Sequence, residues 1–307
     1  MKFISNEEVK SLNISPIECI NWVREAFIMK SECQLPAKMS VHPTGNDFFT
    51  TMPCLLPPEY RRFGAKVVSR IVGRVPALKS DMMLFDSISG ELLAIVNCDW
   101  ITAMRTGAVA ALAIKTLRNS HASEYAFIGL GSTARATLTC LLESCKDEHL
   151  NIRLFKYKDQ AEKIIAEYSH YSNVTFSIVD NTPDLVKNAD VVVSCITDAN
   201  GLLVEDESLF KPGVLIVPVH TRGFQNCDIT FDKIFADDTD HVKGFKYFSE
   251  FKKFHQIEEV LKCEVVGRAN DDERILSYNI GLGLHDVYYA SRIYHLMFDN
   301  VQVCSNH

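Results

Sequence analysis

Between residues 124 and 220 the chain repeats one alternation that restricts its fold more than any other feature. Short apolar runs stand at 125–131 (YAFIGLG), 152–157 (IRLFKY), 174–179 (VTFSIV), 190–197 (DVVVSCIT) and 214–220 (VLIVPVH). Segments with helical periodicity separate the first four: TARATLTCLLESC at 133–145, DQAEKIIAEYS at 159–169 and TPDLVKNA at 182–189. Strands alternating with helices of this length build a parallel sheet covered on both faces. The runs VVVSC and VLIVPV lack polar alternation, as strands buried on both sides do. The reading is an α/β, Rossmann-type doubly wound parallel sheet.

The first strand meets its helix through Gly129-Leu130-Gly131-Ser132-Thr133-Ala134, a G-x-G-x-x-A sequence. In that pattern the first glycine permits a tight turn and the second lets a pyrophosphate reach the backbone. The alanine keeps helix and strand close, and free N–H groups at the helix start attract the phosphates. The competing reading is a plain tight turn, and the strand–loop–helix–strand setting favours the dinucleotide site. An NAD site carries Asp or Glu about 20 residues further on, to bond the ribose 2′-hydroxyl. Here the second strand ends Phe155-Lys156-Tyr157-Lys158, with no acid before Asp159. Lys156 and Lys158, either side of Tyr157, suit a 2′-phosphate, so NADP(H) is favoured and NAD(H) stays open. Two solvated surface lysines are the competing reading.

The flanks read differently. Pro16 opens a helix with Ile17, Ile20, Val23, Ala26 and Phe27 on one face. Residues 64–72 and 82–86 read as strands, Ser87 to Gly90 as a turn, and LLAIVN as another strand. WITAMRTGAVAALAIKTL at 100–117 is an Ala-rich helix, and YNIGLGLHDVYYASRIYHLMF at 278–298 a closing helical stretch. The aromatic group Phe245, Tyr247, Phe248, Phe251 and Phe254 reads as a half-buried helix edge, or as the cover of a site. With 307 residues and roughly 150 per domain, two domains are expected: 118–279 for the parallel sheet, and 1–117 plus 280–307 for an α+β domain into which it is inserted.

Thirty-two Lys and Arg against thirty-nine Asp and Glu leave a net charge of −7 with no basic block, a poor match for nucleic acid. No run approaches the roughly 18 apolar residues of a membrane span, and the polar start does not read as a signal peptide. The ten cysteines are scattered, without C-x-x-C. They read as reduced thiols of a cytoplasmic protein, and no metal site is expected.

Lys66, in Gly64-Ala65-Lys66-Val67-Val68, either points to solvent or lines a cleft. Arg105, in an otherwise apolar helix start, either lies on the surface or grips a carboxylate bidentately. At these residues the sequence resembles the ornithine cyclodeaminase/mu-crystallin family. Gly64-x-Lys66, Leu84-Phe85-Asp86-x-x-x-Gly90-x-x-x-Ala94 and Thr102-x-x-Arg105-Thr106 carry the likeness. Met52-Pro53, Ser194-Cys195 with Thr197, Lys211-Pro212-Gly213, and Gly281 with Asp286 continue it over about residues 20–297.

The resemblance implies a homodimer whose Rossmann domain is inserted into a substrate-binding and dimerisation domain. It implies a bound nicotinamide cofactor held by the glycine loop with Thr106, Ser194, Thr197 and Gly281, and a small amino or imino acid as substrate. Lys66 would sit at the substrate carboxylate and reacting centre, and Arg105 would hold the carboxylate. Three positions depart from the family pattern. Lys38 replaces an arginine, Thr50-Thr51 stand before Met52-Pro53 where the cyclodeaminases carry a glutamate, and His220 replaces an acid. Two acids that steer two amines are thus absent, which favours one-way hydride transfer at the α-carbon over cyclodeamination. His220 would move a proton near neutral pH, or bond a neighbouring carbonyl. Arg222 would read a second acidic group on the substrate. Asp286, beside His285, would touch the cofactor, cap the helix or form a local ion pair. An ornithine cyclodeaminase-type lyase and a cofactor-binding protein without turnover are the alternatives.

Overall fold

The repeated strand–helix alternation folds into an all-parallel sheet. A computed structural model describes residues 1–197, 199, 201–220 and 223–299, and the chain packs as two compact units, Met1–Arg105 with Leu282–His307, and Thr106–Gly281.

In the first unit, β1 (Lys2–Ile4), β2 (Met39–Val41), β3 (Phe48–Leu55), β4 (Arg62–Arg70), β5 (Leu78–Asp86) and β6 (Leu92–Asn97) form a mixed sheet in the order β1-β6-β5-β4-β3-β2. The β1–β6 pair is parallel and the others antiparallel. Burial alternates with the pleat. Met52, Cys54, Lys66, Met82, Leu84, Ala94 and Val96 turn inward, while Phe49, Val67 and Met83 are exposed on the other side. The closing helix, Gly283–Tyr294, covers the inward side at β3 and β4 and packs on the Pro16–Met29 helix. Two glycines set how closely it lies. A Cβ on Gly64 would stand 2.7 Å from Val287 Cγ2, and one on Gly283 3.1 Å from the Met52 carbonyl oxygen. The closing helix begins later than its periodicity suggests. Residues 275–278 are a strand that completes the other unit's sheet, and Gly281, at φ 96°, breaks any helical continuation.

In the second unit, β7 (Glu124–Ile128), β8 (Leu150–Phe155), β9 (Val174–Val179), β10 (Val191–Ser194), β11 (Leu215–Pro218), β12 (Lys233–Ala236), β13 (Phe254–Gln256) and β14 (Ile275–Tyr278) are all parallel, ordered β13-β12-β14-β11-β10-β7-β8-β9. From β7 the sheet grows outward through β8 and β9, and from β10 on the other side through β11, β14, β12 and β13. The order therefore reverses between them, which is where ligands of open α/β sheets gather. The Asp99–Leu117 helix crosses the Ser132–Ser144 helix at Gly107, where an added Cβ would fall 2.4 Å from the Ala136 carbonyl carbon. The aromatic group after residue 244 is no helix edge. Phe248 meets Phe251 and Phe254 edge-on and those two lie tilted to each other, with centroids 5.3–5.8 Å apart, and Phe245 meets the Tyr278 ring edge-on at 5.1 Å. Their apolar area is used against the buried core of this unit.

Candidate functional site

Strand β4 carries Lys66 on the covered face of the six-stranded sheet, opposite Met52 on β3 and Met82 on β5. Neither reading as a surface residue holds: Lys66 is 0% exposed and Arg105 5%. Both reach one carboxylate, that of Asp286 in the first turn of the closing helix. Lys66 Nζ lies 2.7 Å from its Oδ2, and Arg105 Nε donates to its Oδ1 at 2.9 Å. Asp286 is itself 0% exposed. Lys66 also donates to Thr102 Oγ1 at 3.3 Å, and Thr102 shares a 2.9 Å hydrogen bond with Ser80 Oγ.

Burial and the Asp286 charge pull Lys66 in opposite directions. Loss of solvent pushes the ammonium down, Asp286 pushes it back up, Arg105 adds to the lowering, and the result is about 8. Burial alone would raise the Asp286 carboxyl, but Arg105 and Lys66 outweigh it and hold the group below the usual range. Two cations thus share one anion inside a protein interior, leaving one positive charge in excess. Such a charge is stable there only when matched. Arg105 reaches Asp286 through its Nε, and a guanidinium carries two further Nη groups as donors.

Lys38 is half-buried in the residue before Met39. Met39 pairs with Thr51, and Thr51 directly precedes Met52, the cross-strand neighbour of Lys66. Thr50, one of the two threonines before Met52-Pro53, is buried and hydrogen-bonded to Ser40 at 2.7 Å.

In the second unit Gly129 ends β7 at φ 82°. A Cβ there would stand 2.4 Å from the Ile196 nitrogen and 2.5 Å from the Cys195 carbonyl carbon, so only glycine lets the loop lie against the end of β10. Gly131 is the N-cap of the 13-residue Ser132–Ser144 helix, and nothing lies within 4 Å of where its Cβ would be. The backbone there is open to a phosphate. Gly131 and Ser132 are exposed, Thr133 half-buried, and Ala134 fully buried against the sheet. The loop fits a dinucleotide pyrophosphate at the helix N-terminus.

The remaining expected cofactor residues are spread over this unit. Thr106 is half-buried on the Asp99–Leu117 helix and Thr197 is exposed beyond β10. Gly281 is buried and donates its N–H to Asp237. Lys156, Tyr157 and Lys158 are exposed at the end of β8, with Lys158 Nζ 5.3 Å over the Tyr157 ring. Ser194 and His220, at the ends of the neighbouring strands β10 and β11, are joined by a 2.7 Å hydrogen bond between Oγ and Nε2. Burial lowers His220 to about 4, so it is a neutral imidazole throughout the neutral range, where the sequence suggested a titrating one. Arg222 lies outside the described residues. Among those described, no cluster of His, Cys, Asp and Glu could hold a metal ion, and no helix is long and apolar enough to cross a membrane.

The residue that sequence reasoning undervalued is Asp286. A single acid inside the otherwise apolar and aromatic LGLHDVYYA was its signal, since such a group survives burial only when paired. Its two partners are 181 and 220 positions away in sequence, and nothing local names them.

Comparison with known proteins follows the same lines. The profile of the ornithine cyclodeaminase/mu-crystallin family matches residues 1–300. The nodulation efficiency protein NfeD of Rhizobium meliloti is 28% identical, over 96% of this chain and 94% of its own. The alanine dehydrogenase of Archaeoglobus fulgidus is 25% identical over 95% and 93%. The structure of Thermococcus litoralis Delta(1)-pyrroline-2-carboxylate reductase in complex with NADH and L-proline superposes with a TM-score of 0.86 at 22% identity, covering 98% of each chain. That similarity establishes a shared fold.

Proposed function

The chain belongs to the ornithine cyclodeaminase/mu-crystallin family, and from that premise we propose that it is a nicotinamide-dependent oxidoreductase acting on the C–N bond of a small α-amino or α-imino acid. The observation that carries this reading is the buried Lys66–Asp286–Arg105 cluster with its one excess positive charge. A single substrate carboxylate neutralises that charge. Arg105 offers its Nη end to it, and Lys38, directly before β2, adds a further cation.

A nicotinamide cofactor, when bound, would supply hydride chemistry at the substrate α-carbon in either direction. The Gly129–Ala134 loop binds the pyrophosphate, with Thr106, Ser194, Thr197 and Gly281 completing the cofactor site. Lys156 and Lys158, exposed at the end of β8, would pair with a 2′-phosphate, which supports the NADP(H) reading. Lys66, which keeps its proton below about 8, polarises the imine and donates the proton that its nitrogen gains on reduction. His220, neutral and fixed by Ser194, gives or accepts a hydrogen bond rather than carrying charge. The balance is one imino acid, one reduced cofactor and one proton to one amino acid and one oxidised cofactor. The alanine dehydrogenase of Archaeoglobus fulgidus is a relative whose named reaction is of this class. The cyclodeaminase reading loses ground to Thr50, bonded to Ser40, and to the neutral His220.

The protein is proposed to act as a homodimer built on the uncovered side of the six-stranded sheet. Across that side Phe3, Ile95, Met83, Ala65 and Pro53 lie in one register row, with Phe3 65%, Met83 44% and neighbouring Val67 38% exposed. An apolar row of that kind on a twisted sheet marks an association surface.

The test is an incubation of the purified protein with NADP⁺ or NAD⁺ and a panel of small amino acids including ornithine, and in reverse with NADPH or NADH and cyclic or ammonia-derived imines. Reduced cofactor and free ammonia are followed together. Net redox with a monocarboxylate is expected. Ammonia from ornithine without net redox would make it a cyclodeaminase, and cofactor binding without turnover in either direction a binding protein.

A further inference from the structure

Asp286 meets both cations of the proposed site yet has no part in the chemistry described above. It stands in the first turn of the closing helix, fully buried, with one carboxylate oxygen on Lys66 and the other on Arg105. Two close approaches hold it there. The helix lies against β4 at Gly64 and against β3 at Gly283, where a methyl group would collide with Val287 or with the Met52 carbonyl. The geometry is therefore imposed by the fold and does not depend on a flexible side chain finding a partner. Other charged or titratable groups facing Lys66 are Arg105 from the Asp99–Leu117 helix and the Cys98 thiol beyond β6; the Cys54 thiol on β3 faces Asp286. Neither thiol is ionised at neutral pH: burial raises Cys98, and the hydrogen bond with Cys33, together with burial, raises Cys54. Asp286 is thus the one anion of the cluster.

We propose that Asp286 is a positioning residue that keeps Lys66 protonated inside the site and aims the Nη end of Arg105, so that the site selects a ligand with one carboxylate beside a proton-accepting nitrogen. The inference rests on the functional reading above for the ligand, but its core, the control of the Lys66 proton, can be read without turnover. A carboxylate held by both Nε of Arg105 and Nζ of Lys66 fixes the two donors relative to each other. Its charge also offsets the desolvation that would otherwise strip the lysine of its proton. Removing the charge while keeping the shape leaves two cations side by side with no counter-charge, and the lysine is the one that yields its proton.

The experiment uses the full chain with lysine labelled with 13C at Cε, followed by NMR across pH 5–10. The Lys66 signal is identified as the one missing from Lys66→Met. In the wild type it should titrate near 8. In Asp286→Asn the midpoint should drop by at least about one unit, since loss of a neighbouring opposite charge within about 4–6 Å moves a pKa by that much or more. An unchanged midpoint overturns the proposal. Should Asp286→Asn not fold, Arg105→Gln gives the second reading. It removes the competing cation and leaves Asp286 to Lys66 alone, so the midpoint must rise, and a constant or lower one overturns the proposal. Where turnover is measurable, the high-pH limb of kcat/KM in Asp286→Asn should move down with the NMR midpoint. A structural role alone would lower activity with the limb in place. A shifted lysine in a protein that reduces no imino acid would sink the proposed function and leave this inference standing.

Discussion

At the residue scale the decisive fact is that Lys66 and Arg105 lie out of water around one carboxylate. A lysine at 0% exposure on a strand pays heavily in lost hydration unless the site matches its charge, so its retention is a statement about chemistry rather than packing. Lys66→Met should therefore lower kcat/KM by at least about 10²-fold, the usual contribution of a positioned acid or base. Cofactor affinity, measured by quenching of protein fluorescence, should stay within about twofold, because the glycine loop belongs to the other unit. In the direction of imine reduction, the wild-type rate should fall as pH rises through about 8, where Lys66 loses its proton. A profile flat from 6 to 10 would remove Lys66 as the donor. Lys156 is exposed and testable by exchange: Lys156→Asp should reduce the NADPH-to-NADH affinity ratio by about 10-fold or more, the effect of losing a charge-assisted bond of about 1.5–3 kcal/mol. An unaltered ratio would return this lysine to the solvated surface.

At the element scale glycines decide where helices go. The crossing of the Asp99–Leu117 and Ser132–Ser144 helices has no room for a side chain at Gly107, whose added Cβ would fall 2.4 Å from backbone. Gly107→Val should cost about 1–3 kcal/mol, as overpacking of a filled core does, read as a fall in thermal midpoint, and it should loosen cofactor binding because the second helix carries the glycine loop. Much at this scale was legible beforehand. The strands at 125–131, 152–157 and 174–179, and the helices between them, follow from apolar periodicity alone. The segments that were not legible share a cause. β12 (Lys233–Ala236) and β13 (Phe254–Gln256) are three or four residues long and close the sheet's far edge, too short for a period to register. Residues 275–277 stand just before the closing helical stretch and Tyr278 opens it; an apolar run of four fits either template, and only pairing with β11 and β12 makes Ile275–Tyr278 a strand.

At the scale of the whole molecule the sheet of the first unit has one side covered and the other lined by Phe3, Met83 and Val67. Val67→Asp together with Met83→Asp should convert the proposed dimer to a monomer in sedimentation equilibrium while leaving the thermal midpoint of the monomer nearly unchanged, since both side chains already face solvent in the single chain. A dimer that survives both charges would place the association elsewhere.

The sequence by itself determined the parallel sheet and the glycine loop, because both are written in local patterns: the period of buried side chains, and the residues that a tight phosphate-binding turn allows. It also marked Lys66 and Arg105 by resemblance to a family. That Asp286 joins them and that His220 is neutral and bonded to Ser194 were decided only by tertiary structure. Each depends on partners far along the chain and on the loss of water around them. A charge's behaviour is set by the groups that replace its hydration shell, and folding chooses those groups.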